Sequence, residues 1–208
     1  PLWSRGLGDV YKRQVGACAA GWRPLDAGTL PTPALAMAAM ARGCPAIMVT
    51  GSHIPEDRNG LKFYLPSGEI TKADEAAIRS AYTASGPFVE PAECEFATVD
   101  VVQAYLDRYR AFFGTSALTG LRVGVYQQSA VGRDILVELI GALGATVVPL
   151  GRSERFIPID TEAHHPRDIE LVQGWAQEGR FDAIVSTDGD GDRPLVADGD
   201  GNLSLIHI

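Results

Sequence analysis

The chain has 208 residues, 46% hydrophobic and 21% charged, with a formal net charge of −8 and an isoelectric point near 5.0. Such a composition suits a globular protein that buries a useful core, as one large domain or two small ones. No Lys/Arg-rich run interrupts the acidic balance, which argues against nucleic acid or an anionic membrane surface as the main partner. The apolar stretches are broken by Gly, Pro or charge well short of the roughly 20 residues of a membrane span, and no signal segment is expected. Cys18, Cys44 and Cys94 are odd in number and lack CxxC spacing, which predicts buried or free thiols of a reducing compartment rather than a disulfide frame or zinc site, and a cytoplasmic protein.

Both ends read as foreign. Ser4–Gln14 has no apolar period, and Asp9–Gln14 (DVYKRQ) can be encoded by six codons whose reverse complement encodes Leu203–Ile208 (LSLIHI). The pair resembles translated sequencing adaptors, so residues 1–14 and 203–208 are set aside as tails.

In chain order, Trp22–Ala27 reads as a strand stopped by Gly28, and Leu30-Pro31-Thr32-Pro33 as a loop with Pro33 suited to a first helical position. Ala34–Arg42 is a helix closed by Gly43. Pro45–Thr50 is a continuous apolar run, the pattern of a strand buried on both faces. Gly51–Gly60 is a polar loop. Leu61–Leu65 and Glu69–Ile70 flank a hairpin turn, and Thr71 with Asp74 forms a capping-box signal for a helix through Ala84. After a break at Ser85–Pro91, apolar residues recur at helical spacing over Val99–Phe113. Gly114–Gly120 is taken as the domain boundary, giving domains at 15–114 and 115–202. The second half repeats the grammar: strand Leu121–Tyr126, helix Ser129–Leu143, strand Ala145–Leu150, a long polar loop, a helix around Asp168–Glu178, and strands Ala183–Ser186 and Pro194–Ala197 before the turn at Asp198–Gly201. The expectation is α/β: two consecutive, incomplete domains with mixed, mostly parallel sheets covered by helices. Ligands then gather where strands end, and the loops 51–60 and 188–193 both leave strands there.

Two loops carry chemistry. Val49-Thr50-Gly51-Ser52-His53-Ile54-Pro55 sets a hydroxyl at the end of a strand, with Gly51 allowing close backbone approach. Ser52 could be a nucleophile toward phosphorus or a plain turn residue; Ile54 departs from the Gly-x-Ser-x-Gly of acyl-transfer hydrolases. Lys62 offers a cation to a phosphate or an acid/base group, or is a solvated strand residue. In the second loop, Asp188, Asp190 and Asp192 alternate with Gly189 and Gly191 after an apolar strand. Their repulsion is costly unless a cation offsets it, and hard oxygens at alternate positions suit Mg²⁺. The plainer reading is a solvated acidic turn, as Asp198–Gly201 reads. Arg193 and Gly199 stand where an EF-hand wants Gly and Glu. A haloacid-dehalogenase-type phosphatase with Asp188 as nucleophile remains an alternative, as does a non-catalytic module that binds metal or sugar phosphate.

Taken together, Thr50–Pro55, Asn59-Gly60-Leu61-Lys62-Phe63 and Thr187–Arg193 resemble the α-D-phosphohexomutase superfamily, with the bacterial phosphomannomutase branch most similar. Gly51 and Ile54 differ from the more frequent serine loop of that superfamily. The resemblance spans residues 15–202 and implies a partial first domain with the phosphoserine loop and a partial second domain with the metal loop. It implies that Ser52 rests as phosphoserine and that Ser52, Asp188, Asp190 and Asp192 surround Mg²⁺. Lys62 and Arg193 would line the site and His53 would flank the nucleophile, with Lys62 preferred over His53 for proton transfer. The implied substrates are mannose or glucose 1- and 6-phosphates, with hexose 1,6-bisphosphate as intermediate. Later domains of the family have no counterpart here, so the fragment itself is expected to be inactive.

Overall fold

Helical and extended periods alternate through the chain, and the computed structural model, which describes residues 2–52, 59–86, 91, 93–161 and 164–204 (side chains of the first helix from Gly8 onward), realises most of them. The chain separates into two compact units. Unit 1 comprises Pro1–Gly28, Ala34–Thr50 and Asn59–Val101, and unit 2 comprises Thr29–Pro33, Gly51–Arg58 and Val102–Ile208.

The elements of the first part are α1 (Leu2–Ala19), β1 (Leu25–Asp26), α2 (Thr32–Arg42), β2 (Ala46–Thr50), β3 (Gly60–Leu65), β4 (Gly68–Glu69), α3 (Lys72–Ala84) and β5 (Ala97–Thr98). Strands β2, β3 and β4 form an antiparallel sheet in which Ala46 faces Tyr64 and Thr50 faces Gly60. The capping box is present: the Thr71 hydroxyl oxygen accepts from the Asp74 N–H at 3.3 Å, and the Asp74 carboxylate accepts from the Thr71 N–H at 2.9 Å.

Several expectations are corrected here. The strand predicted over Trp22–Ala27 contracts to two residues, which pair in parallel with β5. The run at Ala46–Thr50 is not buried on both faces: β2 lies at the edge of its sheet, and Ile47 is 41% exposed. Apolar continuity reports burial only when a sheet continues on both sides. Ser4–Gln14, given no element above, lies within α1, where Arg5, Leu7, Lys12, Arg13 and Gln14 favour helix, Gly6 and Gly8 oppose it, and no proline interrupts it. The cysteine reading also fails. Cys18 and Cys94 form a disulfide with Cα atoms 5.6 Å apart, and only Cys44 is a free thiol among the described residues. The partners are 76 residues apart, so no local spacing announces them. The free-thiol argument for a cytoplasmic protein goes with that reading.

Unit 2 holds α4 (Val102–Phe113), β6 (Arg122–Tyr126), α5 (Arg133–Ala142), β7 (Thr146–Leu150), α6 (Pro166–Gln177), β8 (Ala183–Thr187), β9 (Pro194–Asp198) and β10 (Leu203–Ser204). Its five-stranded sheet has the order β10-β9-β8-β6-β7. Strand β6 runs parallel to β7 and β8, while β9 and β10 turn back antiparallel. Leu203 and Ser204, set aside as tail, pair with Ala197 and Val196. Val123, Val125 and Tyr126 of β6 are buried, as a strand with neighbours on both edges and helices nearby requires. The main core joins Tyr126, Ile159, Val172, Ala176, Ile184 and Ala197, with Trp175 edge-on to Tyr126 at 5.1 Å.

Helix α5 begins at Arg133 rather than Ser129, because Gln127–Gly132 is used as a loop: Val131 donates its N–H to the Gly189 carbonyl at 2.9 Å. His165 is exposed and caps α6 by accepting from the Arg167 N–H at 3.2 Å. His164 is only half-exposed, since both ring nitrogens are covered. No helix among the described residues is long and apolar enough to cross a membrane.

Ile184 is fully buried at the centre of this core. Ile184→Ala is expected to lower unfolding free energy by about 2–5 kcal/mol, read from the midpoint of a urea transition.

Candidate active site and metal centre

Strand β8 delivers the acidic loop. Its last residues are tied to β6, since the Ser186 hydroxyl donates to the Tyr126 carbonyl at 2.6 Å. The loop then closes on itself: the Asp188 N–H donates to the Arg193 carbonyl at 2.9 Å. Asp188 Oδ1 accepts from three successive backbone N–H groups, those of Gly191, Asp192 and Arg193, at 3.0, 3.2 and 3.2 Å. A carboxylate enclosed by successive amides is the anion-holding arrangement known as a nest. Gly191, at φ 75°, supplies the left-handed backbone this curl requires.

Asp188 and Asp190 are buried and Asp192 is exposed, and one carboxylate oxygen from each lies within 4.8 Å of the other two. Burial, and then the charge of Asp190, push the Asp188 carboxyl up to about 6, against the pull of the Arg193 amide. The other Asp-Gly-Asp-Gly stretch behaves oppositely. Exposed Asp198 is held below the usual carboxylate range by Asn202, whose side-chain and backbone N–H groups it accepts at 2.9 Å. Asp198 has the solvated turn read from its sequence, whereas the loop at Asp188 buries two of its three acids. An all-oxygen set of crowded, partly buried carboxylates fits a hard divalent cation such as Mg²⁺.

Ser52 stands against this loop within unit 2. Its Oγ donates to Asp188 Oδ2 at 3.0 Å, so the two oxygens of Asp188 serve different partners. The Ser52 backbone has φ 38°, uncommon for a residue with a side chain and a feature that accumulates where function over-determines geometry. Gly189 permits the approach: a Cβ there would lie 2.6 Å from the Ser52 carbonyl oxygen. Thr32 holds the second acid twice, through Oγ1 to Asp190 Oδ2 at 2.9 Å and through its N–H to the Asp190 carbonyl at 2.8 Å.

Ser52, Asp188, Asp190 and Asp192 are therefore assembled in one unit. Arg193 joins them by its backbone, with a half-buried side chain. Lys62 belongs to unit 1, half-buried on β3 opposite Met48. His53 lies outside the described residues. Sequence reasoning passed over Thr32 and Gln128. The first sits where helix caps sit, before Pro33, and that was its one local signal. Gln128 is wholly buried just after β6 and donates from Nε2 to the Thr187 carbonyl at 2.7 Å.

Comparison with known proteins identifies the family. The family model described as phosphoglucomutase/phosphomannomutase, alpha/beta/alpha domain I, matches residues 12–87, and that for domain II of the same family matches residues 103–201. A phosphomannomutase of Sinorhizobium fredii is 48% identical over 187 residues, covering 88% of this chain and 40% of the relative. One from Salmonella muenchen is 49% identical over 193 residues, covering 89% and 40%. A crystal structure of a phosphoglucomutase/phosphomannomutase family protein from Burkholderia thailandensis superposes with a TM-score of 0.72 at 26% identity, covering 89% of this chain and 42% of that one. The chain thus spans about two fifths of the length of the curated relatives it matches. With both domain models matched in order and the α/β architecture shared, the chain belongs to the phosphoglucomutase/phosphomannomutase family of α-D-phosphohexomutases.

Proposed function

We propose that this chain carries the phosphoserine and metal-binding parts of a phosphomannomutase, which interconverts hexose 6-phosphate and hexose 1-phosphate by way of hexose 1,6-bisphosphate. The observation that carries the reading is the Ser52 hydroxyl 3.0 Å from Asp188 Oδ2, on a loop where three carboxylates converge. Because the chain spans two fifths of its relatives, the full cycle is proposed for the protein at the length of those relatives.

Asp188, Asp190, Asp192 and an oxygen on Ser52 are the proposed holders of Mg²⁺, which when bound draws charge from the phosphoryl group under attack. Ser52 is the proposed carrier. In the first half, the bond between phosphorus and Ser52 Oγ breaks as a hexose hydroxyl oxygen bonds to phosphorus, and the hydroxyl proton passes to a base. The freed Oγ takes up a proton; in the second half it gives that proton up and bonds to the other phosphorus of the bisphosphate as the bond from that phosphorus to the sugar oxygen breaks and the sugar oxygen is protonated, so the serine ends as it began. Lys62 is the proposed acid/base, ahead of His53, with Arg193 a further group lining the site. The chain's own contribution is placement: the amides around Asp188 Oδ1 hold the carboxylate, and the backbone of Ser52 aims the hydroxyl at its other oxygen.

A phosphatase that attacks through Asp188 fits less well. Three backbone N–H groups already draw on the charge of Oδ1, and Oδ2 lies 3.0 Å from the Ser52 hydroxyl, so phosphorus within reach of Oδ2 is within reach of the serine as well, and Oδ2 is better used toward a cation.

Incubation of the protein at its relatives' length with Mg²⁺ and hexose 1,6-bisphosphate is expected to place label on Ser52 alone, and Ser52→Ala is expected to abolish it. Phosphopeptide mapping that finds the label on Asp188 would overturn the reading. A second expectation concerns pH. The Asp188 carboxyl is raised from 3.8 to about 6, so within that window the folded chain binds more protons than the unfolded one. Stability of the cation-free chain is then expected to fall as pH rises through the window, and Mg²⁺ to raise the melting temperature more at pH 8 than at pH 5. Thermal unfolding in EDTA and in Mg²⁺ at both pH values checks it; an equal gain at both would count against a cation on these acids.

A further inference from the structure

Gln128 is a buried amide that the proposed chemistry does not use. It is 0% exposed and sits at φ 36°, a backbone conformation that a residue with a side chain adopts only where its surroundings hold it. Those surroundings are visible. The Gln128 carbonyl accepts from the Ser153 N–H at 2.9 Å and from Arg133 Nη1 at 3.3 Å, and Arg133 also donates to the Ser153 carbonyl at 2.7 Å. The side-chain amide has one sensible orientation: Oε1 accepts from the Ser129 N–H at 2.6 Å, and Nε2 donates to the Thr187 carbonyl at 2.7 Å. Flipping it would set oxygen against oxygen and N–H against N–H.

The target of that amide is what gives it meaning. Thr187 precedes Asp188, and the Gly189 carbonyl on the other side accepts from the Val131 N–H at 2.9 Å. One loop, Gln128–Val131, thus bonds the carbonyls on either side of Asp188. The backbone that aims the Asp188 carboxylate is held at both flanks, once by a side chain and once by an amide of the same loop.

We propose that Gln128 is a positioning residue for the acidic loop, setting the backbone of Asp188 so that its carboxylate converges with Asp190 and Asp192 on a divalent cation. This rests on the reading of that loop as the cation site. Groups that orient metal ligands without touching the metal typically govern about 10–100-fold in metal affinity. A residue that only packs the core would affect melting and leave affinity alone.

The test uses the 208-residue chain, Mn²⁺ or Mg²⁺ titrated by calorimetry, and melting measured in EDTA. Gln128→Met keeps the bulk and removes the amide, and is expected to bind the cation about 10–100-fold more weakly. Gln128→Gly eases the positive φ but also lacks the amide, and is expected to lose affinity equally. Wild-type affinity in either variant overturns the inference, whatever the melting temperature does. Should both fail to fold, Gln128→Glu decides: it keeps the acceptor toward Ser129 but turns an oxygen toward the Thr187 carbonyl, so weakened binding supports the role and unchanged binding overturns it. The parent reading fails separately. A wild-type chain that binds neither cation, or an Asp190→Asn chain that binds as the wild type does, removes the cation site and this inference with it.

Discussion

The constraint on which the rest depends is electrostatic: two carboxylates, Asp188 and Asp190, are buried beside one another with a third acid at their edge. Left alone, such charges repel and lose hydration together, and a chain that wanted only stability would not place them there. The neighbourhood is organised around tolerating that cost. Backbone amides surround one oxygen of Asp188, the Ser52 hydroxyl meets the other, and Thr32 bonds Asp190 through both side chain and main chain. The groups that compensate the acids are the same groups that set the geometry of the reaction proposed at Ser52.

The elements that bring these groups together are ordinary, and their order matters more than their kind. Parallel β6 and β8 end side by side, joined by the Ser186 hydroxyl, so the loops that follow them emerge as neighbours. One of these loops carries the acids, the other carries Gln128 and Val131, and hydrogen bonds cross from the second to the first. The sheet thereby turns adjacency of strand ends into positional control of a side chain, a use that open α/β sheets invite.

Much of this was legible beforehand, and the part that was not has a common cause. Apolar runs at Leu121–Tyr126 and Ala183–Ser186 and the Thr71–Asp74 cap are local signals, and each led to the element it implied. Thr32 and Asp190 are 158 residues apart, and Gln128 and Thr187 are 59 apart. A hydrogen bond over such a separation leaves no periodicity, so a buried glutamine after a strand reads as a turn residue until its partner is seen. The disulfide of Cys18 with Cys94 escaped for the same reason, and β2 misled because an apolar run is silent about whether another strand will cover its outer edge.

The amide cup around Asp188 Oδ1 has a consequence for kinetics. The loop's curl is closed by its own main chain, from Asp188 to Arg193. At the cation site proposed here, one ion could then replace another without the loop being rebuilt, and exchange would be governed by shedding of the ion's hydration shell. Magnesium, which dehydrates reluctantly, would then arrive more slowly than a larger and more weakly hydrated ion offered to the same oxygens.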